Sequence, residues 1–322
     1  MKLFLSISLF LVVGFGTHAE VFDNFNPCIN HFYKGHVPSG FQGIAKDSLF
    51  DSNNLPDGIK KIGVASLSSP AYICQRYLNS YRYATLYDRG RRMPLYSAYI
   101  MNLKSDASKS CSRCKAFKVE PQLAYRTMQS PDMSFYIDAK LALAMYNKKN
   151  QIPQREAKNR PADLLQTSQA VEDDYNGSEY QKGHLNPCGH QTNCEAGYNS
   201  TFTLTNVAPM RPELNNNIWS PYEENMIKIL ADRQDVVYII TGIVPGNIEI
   251  KKDGLSAPTH VWNAFCHVDK KGKPIDSGAA LAENTKESKF QKFNNVVTFQ
   301  TELETLLRVE HTIQLFKNNC TP

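Results

Sequence analysis

Apolar and polar residues alternate most cleanly in two stretches that meet at a turn. Tyr83-Ala84-Thr85-Leu86-Tyr87 and residues 94–101 flank Asp88-Arg89-Gly90, and period-two runs on either side of such a turn predict a β-hairpin. Val236-Val237-Tyr238-Ile239-Ile240-Thr241-Gly242 is almost wholly apolar and β-branched, which predicts a buried strand. Residues 259–268 predict another, bounded by Pro258 and by the turn signal Lys270-Lys271-Gly272. Helical spacing is confined to residues 131–149, part of 221–232, and 287–294. Strands mixed with helices, without a regular βα alternation, indicate an α+β fold.

The N-terminus adds a compartment to this picture. Lys2, an apolar run from Leu3 to Gly16 and then Thr17-His18-Ala19 form a cleavable secretory signal over residues 1–19. The run is shorter than the ~20 residues a bilayer span requires. Residues 20–322 then read as one domain, without repeats or a low-complexity linker, and no later stretch predicts stable membrane association. All eight cysteines follow the signal, and an even set entering an oxidising pathway favours disulfides. Proximity suggests Cys188 with Cys194 and Cys111 with Cys114. Loop closure alone suggests Cys28 with Cys74 and Cys266 with Cys320. The competing reading is a zinc site drawn from Cys111, Cys114, Cys188, His190 and Cys194. The sequons Asn176-Gly177-Ser178 and Asn199-Ser200-Thr201 suit a secreted chain.

Charge changes little. Without Lys2, 35 basic residues face 31 acidic ones, a net +4 that is too small to argue for a protein coating duplex DNA. Arg89, Arg91 and Arg92 at one turn, and Lys148, Lys149, Arg155, Lys158 and Arg160 along one stretch, fit equally a steering surface for a polyanion or ordinary solvated faces.

Candidate chemistry is concentrated between Asp174 and Leu230. Tyr180-Gln181-Lys182-Gly183-His184-Leu185-Asn186-Pro187 is followed by Thr203-Leu204-Thr205-Asn206-Val207-Ala208-Pro209-Met210 and by Leu214-Asn215-Asn216-Asn217-Ile218-Trp219. These offer an imidazole, a nearby cation and several amides. Phosphodiester hydrolysis needs a base for water, a divalent cation at the phosphate oxygens and positive charge for the developing pentacovalent centre. Neutral histidine suits the first, and an amide oxygen is a hard ligand that leaves Mg²⁺ most of its waters.

The order Lys-Gly-His, then Thr-Asn-Val-Ala-Pro about twenty residues on, then Leu-Asn-x-x-x-Trp resembles the DNA/RNA non-specific endonucleases of the ββα-metal (His-Me finger) type. The likeness extends to the hairpin from Tyr83 to Tyr99, to Val237–Gly242 and to Ala257-Pro258-Thr259-His260. It implies a ββα-metal nuclease fold, with a central mixed or antiparallel sheet flanked by helices. It also implies a DNA and/or RNA substrate, Mg²⁺ or Mn²⁺ as cofactor, and 5′-phosphate and 3′-hydroxyl products. Carried over residue by residue, it makes His184 the general base, Asn215 the metal ligand, Glu223 the carboxylate ordering the metal's waters and Asn206 a brace. Lys182 stands where the family has arginine, a point charge in place of a two-pronged donor. Gln181 replaces an aspartate, and Ile227 stands where bacterial relatives carry a second arginine.

The residues alone leave other readings open. Ser220-Pro221-Tyr222-Glu223 fits a capping box with Ser220 as N-cap, which would set Glu223 to serve its helix and place Asn215 before it. His190 reads as structural, and Trp219, Met226, Ile229 and Leu230 as core. A non-enzymatic binding module of the same fold is the rival function.

Overall fold

A computed structural model of the chain describes residues 20–46, 69–103, 116–151, 161–192, 195–230, 235–250, 255–310 and 312–321. The signal segment, Cys111, Cys114, Cys194, Arg155, Lys158 and Arg160 lie outside the described residues. The strands that matter below are β1 (Val21–Phe22), β2 (Ala71–Tyr77), β3 (Ser80–Asp88), β4 (Met93–Ile100), β5 (Gln181–His184), β6 (Val207–Met210), β7 (Val236–Val244), β8 (His260–Val268), β9 (Pro274–Glu283) and β10 (Phe290–Phe293). The helices are α1 (Tyr136–Lys149), α2 (Ser220–Leu230) and α3 (Val296–Leu307).

Eight strands form one sheet in the order β1-β2-β3-β4-β7-β8-β9-β10, antiparallel throughout. The apolar run predicted as a buried strand is β7, near its middle. Its neighbours β4 and β8 are also legible in the sequence, as is β3 beyond β4. One face is aromatic: Phe41 packs on Tyr96 and Trp262 with ring centroids 5.2 and 5.8 Å away, and Phe299 of α3 meets Trp262 at 5.8 Å. Gly242 is glycine because a Cβ there would lie 2.3 Å from the Trp262 indole.

The opposite face carries a row of polar residues. Thr85, Ser97, Thr241 and Asn263 stand opposite one another on β3, β4, β7 and β8, and all are buried. Buried hydroxyls and amides must be bonded to be tolerated. Thr85 Oγ1 and Ser97 Oγ are 3.0 Å apart, and Asn263 Nδ2 donates to Thr241 Oγ1 at 2.8 Å. Ser97 and Asn263 are bonded further by side chains of the unit inserted between β4 and β7, and Thr85 accepts from Gln75 of β2 at 3.2 Å.

Several expectations change. The helix predicted from residue 131 begins at Tyr136, because Ser134–Phe135 instead pairs with Lys118–Val119. Residues 287–294 are not a helix: β10 is drawn onto the sheet by pairing with Ala279–Ala282, and α3 starts beyond it, where Asn295 Oδ1 accepts the Thr298 N–H at 2.8 Å. Ile229 is exposed instead of core. The arginine turn is no steering surface. Arg89 is buried and donates to the Leu123 carbonyl, Arg91 pairs with Asp88, and Arg92 grips Asp174 through two nitrogens at 3.0 and 3.2 Å.

Two disulfides, Cys28–Cys74 and Cys266–Cys320, agree with the pairing suggested by loop closure. The second closes 54 residues and ties β8 to the chain's C-terminal segment. Replacing Cys266 and Cys320 together by serine should cost on the order of 3–4 kcal/mol by chain entropy, read as a lower midpoint in urea unfolding.

Candidate active site

β5 and β6 form a short antiparallel ribbon in which Gln181, Lys182, Gly183 and His184 face Met210, Pro209, Ala208 and Val207. The ribbon closes tightly because Gly183 lacks a side chain: a Cβ would sit 2.2 Å from Met210 Sδ. Lys182 and His184, two apart on one strand, both reach Phe117. The His184 ring lies 5.5 Å from the Phe117 ring and 5.1 Å from Phe202, and Lys182 Nζ lies 4.9 Å from the Phe117 centroid. His184 is half-buried, held by rings on two sides. Lys182 also pairs with Glu172 at 3.4 Å.

The turn after His184 is held by one amide. Asn206 Oδ1 accepts from Ser97 Oγ and from the Asn186 N–H, each at 3.0 Å. Its Nδ2 donates to the carbonyls of Asn186 and Thr201 at 2.9 and 3.0 Å, and its own carbonyl accepts the Leu185 N–H at 2.9 Å. Asn206 is fully buried and its amide makes four bonds, so the ribbon, the loop before it and β4 share one fixed point.

The helix that follows overturns the capping box. Arg211 is the N-cap residue, Pro212 occupies the favoured first position, and Asn215 is already helical. Residues Asn215–Trp219 form a π-turn in which the Ser220 N–H bonds to the Asn215 carbonyl, and Ser220 itself is helical at φ −59°, ψ −45°. Pro221 explains the bulge: it has no N–H to donate, and its ring would crowd the carbonyl four residues back in a regular helix. The widened turn has a second effect. Eight α-helical residues sweep roughly 800°, but one inserted residue brings the interval from Asn215 to Glu223 close to two full turns, roughly 720°. The two side chains therefore come to one azimuth of a continuous helix, which the sequence pattern alone argues against.

Asn215 Nδ2 donates to Gln181 Oε1 at 2.8 Å, so helix and ribbon meet at the residue pair flanking the expected metal position. This bond uses the amide nitrogen and leaves the oxygen, the atom a hard divalent ion prefers. No cluster of three or more His, Cys, Asp or Glu suited to a metal occurs among the described residues, and a single amide donor fits an ion that keeps its water better than a thiolate-type zinc site. His190 is not a zinc ligand here: its Nδ1 lies 3.0 Å from Tyr99 Oη and its Nε2 3.2 Å from the Glu223 carbonyl. Burial pushes the Glu223 carboxyl well above the usual range, with repulsion from Glu224 adding and the Trp219 indole partly offsetting. Tyr222 anchors the helix to the sheet by donating to Asn263 Oδ1 at 3.1 Å. The structure thus joins His184 with Lys182 through Phe117, and Asn215 with the head of the same strand. Glu223 stands in the first turn of α2, two helical turns beyond Asn215 and against Trp219.

A two-stranded ribbon followed by a helix, with an imidazole on the first strand and an amide at the helix start, is the framework of a ββα-metal nuclease. A family model described as DNA/RNA non-specific endonuclease matches residues 63–319, and the chain belongs to that family. The endonuclease domain-containing 1 protein of Mus musculus is 28% identical over 302 residues, covering 92% of this chain and 48% of the mouse protein. Its Homo sapiens counterpart is 27% identical over 278 residues, covering 85% and 47%. The chain therefore spans about half the length of these relatives. Mitochondrial endonuclease G of Homo sapiens is 33% identical over 108 residues, 30% of this chain and 36% of that protein.

Sequence reasoning missed the supporting partners. Phe117 and Phe202 flank His184 from distant segments, Glu172 meets Lys182, and Ser97 holds Asn206. Only Ser97 had a signal, as a polar residue alternating within the predicted hairpin.

His190 supplies a pH test. Burial lowers its pKa to about 4, so the unfolded chain, with an ordinary value near 6.5, takes up the proton first as pH falls. Its contribution is whole above pH 6.5 and is lost as pH falls towards 4, on the order of 3 kcal/mol in all. Urea unfolding across this window should show a shallower decline in His190→Gln. His31, also lowered to about 4 by burial, keeps its own share.

Proposed function

We propose that this chain is a secreted, metal-dependent endonuclease that hydrolyses DNA and/or RNA without sequence preference. The observation that carries the reading is the ribbon–helix junction, where His184 and Lys182 share a strand whose first residue holds Asn215. Secretion is supported by the N-terminal signal pattern and by two disulfides. The exposed turn at Asn176 suits a glycan.

His184 takes a proton from water as it attacks phosphorus, and the flanking rings of Phe117 and Phe202 keep the imidazole in one orientation. Lys182 directs its ammonium to the phosphate oxygens as charge develops. Asn206 holds the turn behind His184, so the base cannot recede. Asn215 would hold the cation through its amide oxygen, and Glu223, on the same azimuth, would order the ion's waters. When bound, Mg²⁺ or Mn²⁺ supplies positive charge to the phosphate and to the leaving oxygen. The P–O3′ bond breaks, leaving a 5′-phosphate and, after protonation, a 3′-hydroxyl. Contacts to phosphate instead of groove edges give no base preference.

Purified mature protein should digest plasmid and RNA, and a chelator should abolish cutting. His184→Ala should lower the rate by about 10²–10⁴. Equal cutting by the mutant would remove His184 as base. Failure of the wild type across metals and pH would leave a nucleic-acid or protein-binding module of nuclease fold. Glu172 offers a separate test, since it competes with phosphate for Lys182. Glu172→Gln should raise kcat/KM several-fold at low salt, with the gain shrinking as salt screens the charges; an unchanged value would show that Lys182 does not meet the substrate.

A further inference from the structure

Glu20, the first described residue, is fully buried. Its backbone N–H donates to Gln122 Oε1 at 2.7 Å, and the Val21 N–H donates to the same oxygen at 3.3 Å. Gln122 is fixed in turn by its Nε2, which donates to the Met128 carbonyl at 3.0 Å. The Glu20 carbonyl accepts the Cys74 N–H at 2.8 Å, so the residue extends the pairing of β1 with β2.

The Glu20 side chain turns inward. Its Oε1 accepts the Arg76 N–H at 3.1 Å, while Oε2 is buried without a donor. Within hydrogen-bonding reach lies a second buried carboxyl, Glu120. Thr203 and Thr205 hydroxyls donate to its Oε1 at 2.8 Å each, and its Oε2 is also buried without a donor. Burial raises both carboxyls above the usual range; Glu120 pushes Glu20 further up, whereas the bonds from Glu20, Thr203 and Thr205 and the charge of Lys118 partly offset the rise at Glu120. The cation bearing on Glu120 is Lys118, whose ammonium donates to the Asn199 carbonyl at 2.8 Å. The Arg76 guanidinium is turned away to Asp132 and Asn79. Two buried carboxyls thus stand within hydrogen-bonding reach of each other with one side-chain cation beside Glu120, and the Oε2 atoms of both lack a donor unless the pair shares a proton.

The segment predicted as a cleaved signal ends at Ala19, one bond before this corner. We propose that the pocket of Gln122, Glu120 and the Glu20 side chain is a docking site for the α-ammonium that signal removal creates on Glu20. This inference rests on the secretion reading above. A signal peptidase hydrolyses the Ala19–Glu20 bond with one water, leaving a carboxylate on Ala19 and an amine on Glu20 that takes up a proton. A peptide nitrogen has one hydrogen to donate; the ammonium has three. One remains on Gln122 Oε1, which leaves two for the Oε2 atoms of Glu20 and Glu120. The new positive charge also gives two cations for two carboxylates in a site where an unpaired buried charge is costly. Through Thr205, the neighbour of Asn206, the same pocket touches the segment that holds the ribbon.

The test uses protein secreted from eukaryotic cells, with its N-terminus read by mass spectrometry. Acylation of the Glu20 α-amine by an activated ester near pH 7 should be at least about tenfold slower in the native than in the urea-unfolded chain, since each unit of stabilised protonation removes tenfold of the reactive amine. A variant carrying one extra alanine before Glu20 should react at the unfolded rate and melt several degrees lower. In a Glu120→Gln background the extra alanine should cost much less. Secreted protein whose Glu20 amine reacts equally in both states, whose chain starts at another residue, or whose alanine penalty is unchanged by Glu120→Gln would overturn the docking site alone. A chain kept in the cell with residues 1–19 attached would overturn secretion and this inference together.

Discussion

A row of buried polar side chains crosses the sheet through Thr85, Ser97, Thr241 and Asn263, and the ribbon-and-helix unit is hung from it. An unbonded buried hydroxyl or amide costs about 1–3 kcal/mol, so a row of four can exist only where partners are guaranteed. The inserted unit and Gln75 of β2 supply them. Asn206 bonds Ser97, Tyr222 bonds Asn263, and Gln75 bridges Thr85 and Thr205 at 3.2 and 2.8 Å. Apolar contact alone would let the unit slide over the sheet. Directional bonds with fixed partners admit one placement, and His184, two residues before Asn186, inherits that placement.

The same economy of positions shapes the site. Gly183 is required by the Met210 thioether, and that close approach sets the separation of β5 from β6. Pro221 forces a π-turn, which turns Asn215 and Glu223 onto a common azimuth. Lys182 is held between Phe117 and Glu172, so its charge is partly answered before any substrate arrives. A lysine in this position brings a single charged point on a flexible stem, where a guanidinium would bring a planar two-pronged donor.

The strands β3, β4, β7 and β8 were legible because their apolar runs are long and bounded by turn residues. β2 and β9 were not, since Gln75 and Arg76 interrupt the first and Pro274 and Gly278 the second. Gln75 and Arg76 are buried against Thr205 and Asp132, 130 and 56 positions along the chain. The false helix at 287–294 failed for the opposite reason: an edge strand is decided by the sheet beside it, here β9. Ser220 shows the limit of a local motif. Ser-Pro-x-Glu fits a helix start, yet the chain was already helical from Pro212, and a bulge absorbed the proline.

From the sequence alone came the family resemblance, the α+β class, the secretory pattern, the two disulfide pairs and the ordered set Lys182, His184, Asn206 and Asn215. Each depends on neighbours in the chain, on residue type or on order. Tertiary structure alone decided that Arg89, Arg91 and Arg92 face inward, that Phe117 and Phe202 flank the imidazole, that Asn215 meets Gln181, and that Glu20 and Glu120 share a buried corner. Those facts concern residues 34 to 100 positions apart in most cases, and no local pattern encodes which distant partner will satisfy a buried charge or amide. Packing settles that, because the cost of leaving such a group unpaired is felt only once water has been excluded.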